Sequence, residues 1–183
     1  MLSGYPLQGY IMAFGMTKIL GLDPGLQCTG WGIVQKKENS LSYVAHGVVK
    51  TDAKLPLAER LNTLYQGLSK VLEQFQPQEA AVEETFVNQN PVSTLKLGMA
   101  RGVVLFTPAS FGLGVWEYSA NKVKKSVVGS GHAQKHQVAQ MVSWLLPAMP
   151  KNVVDDAADA LAVAICHAHH RALNEKLKDI SRL

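Results

Sequence analysis

Two acids stand where apolar segments stop. Lys18-Ile-Leu-Gly-Leu22 runs into Asp23-Pro24-Gly25, and Ala80-Ala-Val82 runs into Glu83. A carboxylate that ends a buried strand is costly to desolvate unless it binds something, and in open α/β sheets functional groups gather at the carboxyl ends of strands. Asp155, Asp156 and Asp159 open an alanine-rich apolar segment. Residues three and four apart share a helical face, so Asp159 acts with either Asp155 or Asp156. Asn152 reads as the N-cap, which makes Asp155 a third-position partner for free amides and leaves Asp156 and Asp159 for chemistry. A helix N-terminus favours such acids even without a function, and a single turn carboxylate is commonly just solvated.

Three or four carboxylates with no nearby His or Cys set are hard oxygen donors, suited to Mg²⁺ or Mn²⁺. Two such ions about 3.5–4 Å apart activate water and stabilise both oxygens of an in-line phosphoryl displacement. Mutual repulsion should raise the pKa values of the metal-free acids. Histidine offers less. His132 and His136 have helical spacing but no adjacent third ligand, His167, His169 and His170 cluster near the end, and Cys28 and Cys166 read as small packing residues.

Charge points to a polyanion. The formal charge is +4. Between Thr85 and Val154 the one acid, Glu117, faces Lys96, Arg101, Lys122, Lys124, Lys125, Lys135 and Lys151. A basic stretch beside an acidic centre matches a nuclease, with lysines gripping the phosphate backbone and bound metal serving the cleavage.

The elements that must hold these groups fit one domain of 183 residues. Strands are expected at Lys18–Leu22, Gly30–Val34 and Leu41–Val49, the three forming an antiparallel meander, and again at Ala80–Glu83 and Gly114–Tyr118. Pro56 opens a helix with Leu57, Leu61, Leu64, Leu68 and Leu72 on one face, closed by Gln76-Pro77. A second long helix starts at Pro91, and three more cover Asn121–Val127, Gln134–Leu145 and Val153 to about Ala172. The expected division is an N-terminal extension over 1–16 without function, a nuclease domain over 17–172 and a tail over 173–183. Widely spaced cysteines, no signal-peptide leader and no apolar run near ~18 residues imply a reducing cytoplasm and no membrane.

Several motifs together carry a family resemblance. Ile19-Leu-Gly-Leu-Asp-Pro-Gly25 with Thr29-Gly-Trp-Gly32, then Val82-Glu-Glu-Thr-Phe86 and Leu95-Lys-Leu-Gly-Met-Ala-Arg-Gly102, resemble the RuvC family of bacterial crossover junction endodeoxyribonucleases. So do Val123-Lys-Lys-Ser-Val-Val-Gly-Ser-Gly131 and Asp156-Ala-Ala-Asp-Ala-Leu-Ala162, and the set follows the family's order from about Lys18 to His170. The resemblance implies an RNase H-like α/β fold, a mixed five-stranded sheet flanked by helices. It implies a homodimer that nicks four-way (Holliday) DNA junctions symmetrically with Mg²⁺, Mn²⁺ substituting and two ions per site, working beside the RuvA–RuvB branch-migration complex. It places the catalytic, metal-binding acids at Asp23, Glu83, Asp156 and Asp159. Phe86 matches an aromatic that stacks on unpaired bases, and Lys124 and Lys135 match basic residues near the scissile phosphate. Lys122, Lys125 and His136 are expected to touch DNA. Glu84 stands where the family often has Gln, and Val87-Asn-Gln-Asn90 lacks a lysine that some members carry.

Other readings remain distinct in what they predict. A YqgF-type nuclease acting on rRNA precursors shares the Asp-Pro-Gly start and would depend on 2′-hydroxyls. An actin- or sugar-kinase-type ATP-binding domain needs a second domain for which this chain has no room. A non-catalytic junction-binding module would not need all four acids.

Overall fold

The computed structural model describes residues 15–85 and 90–180. Five strands form one sheet: β1 (Met16–Asp23), β2 (Cys28–Lys37), β3 (Ser40–Lys50), β4 (Glu79–Glu83) and β5 (Gly114–Tyr118). Their order is β3-β2-β1-β4-β5, with β1–β2 and β2–β3 antiparallel and β1–β4 and β4–β5 parallel, so the sheet is mixed as expected. The helices are α1 (Leu57–Phe75), α2 (Pro91–Ser110), α3 (Ala120–Val128), α4 (Lys135–Leu145) and α5 (Asp155–Ile180).

Side-chain alternation divides the two cores. Leu20, Leu22, Ile33, Ala80 and Val82 point to one face, against Leu64, Leu68 and Leu72 of α1 and Ala100 and Val104 of α2. Ile19, Val34, Ala81 and Tyr118 point to the other, against Val123 and Val127 of α3, Val138 and Val142 of α4, and the alanine-rich run of α5. The result is three layers with the sheet in the middle.

Local chemistry sets most boundaries. Asn90 caps α2 by accepting from the N–H groups of Val92 and Ser93, with Pro91 at the first helical position. Ser119 accepts from the Lys122 N–H to start α3, and Gly129, at φ +83°, lets the chain turn out of it. Gln76 adopts a left-handed conformation as its N–H closes on Leu72, ending α1 before Pro77.

The last helix departs from expectation at both ends. Asn152 is not its cap: α5 begins at Asp155, and the Val154 carbonyl accepts the first amides, from Ala157 and Ala158. Packing sets this register. Gly21 of β1 and Gly30 of β2 leave room for the α5 backbone itself, since a methyl group on Gly21 would collide with the Ala160 carbonyl and one on Gly30 with that of Asp156. Buried Ala157, Ala160, Leu161 and Ala164 then lie on the sheet, and burial outweighs a side-chain cap. At its other end the helix continues past Ala172 to Ile180. Met16, at the edge of the expected extension, pairs with Lys37 as the first residue of β1.

Candidate active site

Asp23 and Glu83 meet because β1 and β4 run in parallel register. The ladder from Ile19–Glu79 to Leu22–Val82 puts the next pair, Asp23 and Glu83, side by side at the carboxyl ends of both strands. Alternation turns both side chains to the α5 face, in line with Gly21 and Ala81. The close approach of α5 at Gly30 brings Asp156 and Asp159 down over the same end.

The electrostatics record this convergence. Asp23 is pushed from 3.8 up to about 7, first by burial and then by the charges of Glu83, Asp159 and Asp156. Glu83 is pushed from 4.5 up to about 7, again by burial and then by Asp159, while Lys135 and Lys124 oppose the rise. The Lys135 ammonium donates to Asp159 across 3.1 Å, and this bond leads the causes that raise the lysine's own pKa. The expected rise in carboxylate pKa is therefore present at Asp23 and Glu83.

Asp155 and Asp156 separate cleanly. Asp155, the first residue of α5, is exposed, whereas Asp156 is half-buried. The Asp156 charge acts on both Asp23 and the Cys28 thiol. Burial, followed by the neighbouring Asp156 carboxylate, raises Cys28 to about 11, so the thiol keeps its proton at neutral pH.

Two small hollows lie beside Glu83 and Asp159. One, of about 200 Å³, is lined by Glu83 and Asp159 with Lys124 of α3 and Lys135 of α4. Its neighbour, of about 260 Å³, adds His136 and Asp155 to Lys135 and Asp159. Lys122 and Lys125 are exposed on α3, and the Lys122 ammonium sits 4.9 Å from the centre of the Tyr118 ring. Neither lines these hollows. Phe86 lies outside the described residues. A larger hollow, of about 650 Å³, lies between Leu72, Pro77, Phe111 and Leu113 and contains none of these acids.

The donor set fits a hard divalent cation. It offers carboxylate oxygens alone, and two of the acids are held near neutral pKa by burial and one another's charge, a cost that a cation relieves. Among the described residues, no three acidic, histidine or cysteine groups are yet drawn together tightly enough to close on one ion.

Sequence patterns did not single out two further groups. Cys28 shares the α5 face with Gly30, two residues on, and feels the charge of Asp156. His167 is fully buried: its Nε2 lies 3.0 Å from Glu79 and its Nδ1 2.8 Å from the Tyr118 hydroxyl, while Arg171 also binds Glu79. This network ties α5 to β4 and β5, running from Glu79 at the start of β4 to Tyr118, which pairs with Glu83 at the other end.

Comparison with known proteins gives one consistent result. Residues 19–167 match the family profile described as crossover junction endodeoxyribonuclease RuvC. A protein of that name from Paramagnetospirillum magneticum is 61% identical over 160 residues, covering 87% of this chain and 96% of the relative. Another, from Bradyrhizobium, is 57% identical over 155 residues, covering 84% of this chain and 87% of the relative. Among solved structures, Thermus thermophilus RuvC in complex with a Holliday junction substrate superposes with a TM-score of 0.80 at 33% identity, covering 86% of this chain and 96% of that one.

Proposed function

The chain belongs to the RuvC family of crossover junction endodeoxyribonucleases, and from that premise we infer that it binds four-way (Holliday) DNA junctions and resolves them by paired nicking in recombination and repair. The observation that carries the site assignment is the meeting of Asp23, Glu83, Asp156 and Asp159 beneath Lys124 and Lys135.

These four carboxylates hold the metal, which we take to be Mg²⁺, replaceable by Mn²⁺, at two ions per site. When bound, such ions activate water and stabilise the attacking and leaving oxygens of an in-line displacement. Asp23 and Glu83 come from the rigid sheet, so their spacing is fixed by the β1–β4 ladder, while α5 supplies the opposing pair. The water oxygen bonds to phosphorus as the bond to O3′ breaks, and O3′ takes a proton, leaving 5′-phosphate and 3′-hydroxyl ends. Lys135 holds Asp159 in place, and with Lys124 offsets charge gathering on the phosphate.

Lys122, Lys125 and His136 extend the basic surface along the DNA, and Phe86 stacks on bases exposed at the crossover. We assign the homodimer contact to α2. Val92, Leu95 and Phe106 are 61%, 62% and 62% exposed there, and Gly98 and Gly102 have open space in front of them. A two-fold axis through such a stripe sets two active sites against a junction of matching pseudo-symmetry. The RuvA–RuvB complex is the expected partner, and the cytoplasm the expected compartment; none of the described helices is long and apolar enough to cross a membrane.

The test is cleavage of a synthetic four-way junction with Mg²⁺, beside linear duplex and structured RNA. Paired, ligatable nicks confined to the junction are expected. Asp23→Asn should abolish nicking and leave junction binding within about twofold. Binding that collapses with cleavage would refute the division between acidic chemistry and basic grip.

A further inference from the structure

Arg60, near the start of α1, is only 8% exposed. A buried cation is costly unless it is paired, yet among the described residues no carboxylate pairs with it. Its guanidinium instead holds neutral oxygens at the turn that follows Asp23. Nε donates to the Thr51 hydroxyl at 3.0 Å and Nη2 to the Leu26 carbonyl at 3.3 Å. The Thr51 hydroxyl donates to that same carbonyl at 2.5 Å, and the Thr51 N–H to the Gln27 carbonyl at 3.0 Å. From the other side fully buried Thr29 donates to the Gly25 carbonyl at 2.6 Å and accepts from the Gly25 N–H at 3.2 Å. The turn is therefore bonded at Gly25, Leu26 and Gln27. The charges acting on Asp23 are those of Glu83, Asp159, Asp156 and Lys135, so Arg60 reaches Asp23 through the backbone of the turn.

We propose that Arg60, together with Thr51, is a positioning residue for the cleavage reaction: it clamps the Gly25–Gln27 turn and so fixes the angle at which Asp23 meets a divalent cation. The proposal rests on the reading of Asp23, Glu83, Asp156 and Asp159 as the metal-holding set. Pro24 joins Asp23 to the turn with a fixed φ and restricts Asp23 itself, so a shift in the turn passes to the carboxylate. A loose turn leaves that orientation to be fixed on binding, which lowers affinity. Partners that orient a metal ligand directly typically matter by 10–100-fold. Arg60 acts one step further out, so the expected effect is about three- to tenfold.

The experiment is titration calorimetry of Mn²⁺ into the full chain without DNA, under conditions where urea unfolding shows each protein folded. The variants are Arg60→Met, Thr51→Val, Thr51→Ser and Asp23→Asn. Methionine keeps the length of the buried stem and loses every donor; valine loses the Thr51 hydroxyl and serine keeps it. Arg60→Met and Thr51→Val should each bind Mn²⁺ about three- to tenfold more weakly, with Thr51→Ser within about twofold of wild type. Arg60 and Thr51 meet on one carbonyl, so the double variant should bind more tightly than the product of the two losses predicts. If Arg60→Met does not fold, Thr51→Val against Thr51→Ser decides alone. Folded variants whose isotherms coincide with wild type would overturn the proposal, leaving Arg60 as support for the fold only. Equal weakening in Thr51→Val and Thr51→Ser would overturn it too, because the hydroxyl would then be irrelevant. An Asp23→Asn protein that binds Mn²⁺ as wild type does would instead overturn the carboxylate reading, and the proposal with it.

Discussion

Replacing Asp23 with asparagine should stabilise the metal-free protein while destroying its activity. In the unfolded chain this carboxyl titrates near 3.8, and in the folded protein near 7, because it is buried among Glu83, Asp159 and Asp156. Between those values the folded state holds a proton that the unfolded state has lost, so stability falls as pH rises. The loss is complete above about pH 7. At about 1.4 kcal/mol per tenfold change the difference is about 4 kcal/mol; dielectric screening and local relaxation bring this to about 2 kcal/mol. Asparagine has no proton to lose. Its advantage should therefore be near zero below about pH 4, grow from there to about pH 7, and stay level above. At pH 8 this corresponds to about 4–8 °C in Tm. The assay is urea and thermal unfolding in EDTA at several pH values from 5 to 8.5. Adding Mg²⁺ should stabilise wild type alone, because the ion binds the folded site and not the unfolded chain. An Asn variant no more stable than wild type at pH 8, or equally advantaged at pH 5 and pH 8, would refute the argument that Asp23 sits in a buried, self-repelling cluster.

Two further outcomes follow from packing. Gly21→Ala places a methyl group on the Ala160 carbonyl, so it should cost about 1–3 kcal/mol in thermal unfolding and reduce junction cleavage as α5 is pushed off the sheet. His167→Ala empties a fully buried site and strips Glu79 of one of its partners; a loss of about 3 kcal/mol in urea unfolding is expected, with the residual cleavage by folded protein near normal.

The strands, and the acids that end them, were legible because the signals are local. An apolar run broken by Asp23-Pro24-Gly25 announces both the end of a strand and a carboxylate at its tip. Local helix-start signals were legible for the same reason where they decide, as Pro91 does at the first position of α2. They misled at α5, where Asn152 looked like a cap but the glycines of β1 and β2, more than a hundred residues away in sequence, choose the register. Helical spacing alone left Asp155 and Asp156 open; the family resemblance chose Asp156, and the register of α5 leaves Asp155 exposed and Asp156 half-buried. Cys28 and His167 were illegible as more than packing and cluster residues, because their surroundings come from other elements: the Asp156 charge near the thiol, and Glu79 with Tyr118 bonded to the imidazole. Lys135 shows the intermediate case. Its charge was visible, but its 3.1 Å bond to Asp159 depends on how α4 lies against α5.

The dependence of the site on α5 also bears on when this protein becomes a nuclease. Asp23 and Glu83 are in place once β1 and β4 pair, but Asp156 and Asp159 arrive only with the last helix, and α5 also fills much of the core on that face of the sheet. Contacts this distant in sequence close late, and domains assemble as their final elements leave the ribosome. A nascent or C-terminally shortened chain thus lacks both half of the proposed acidic centre and the core on which α3 and α4 rest. On the proposed reading of the four acids, DNA-cutting capacity depends on completion of the fold.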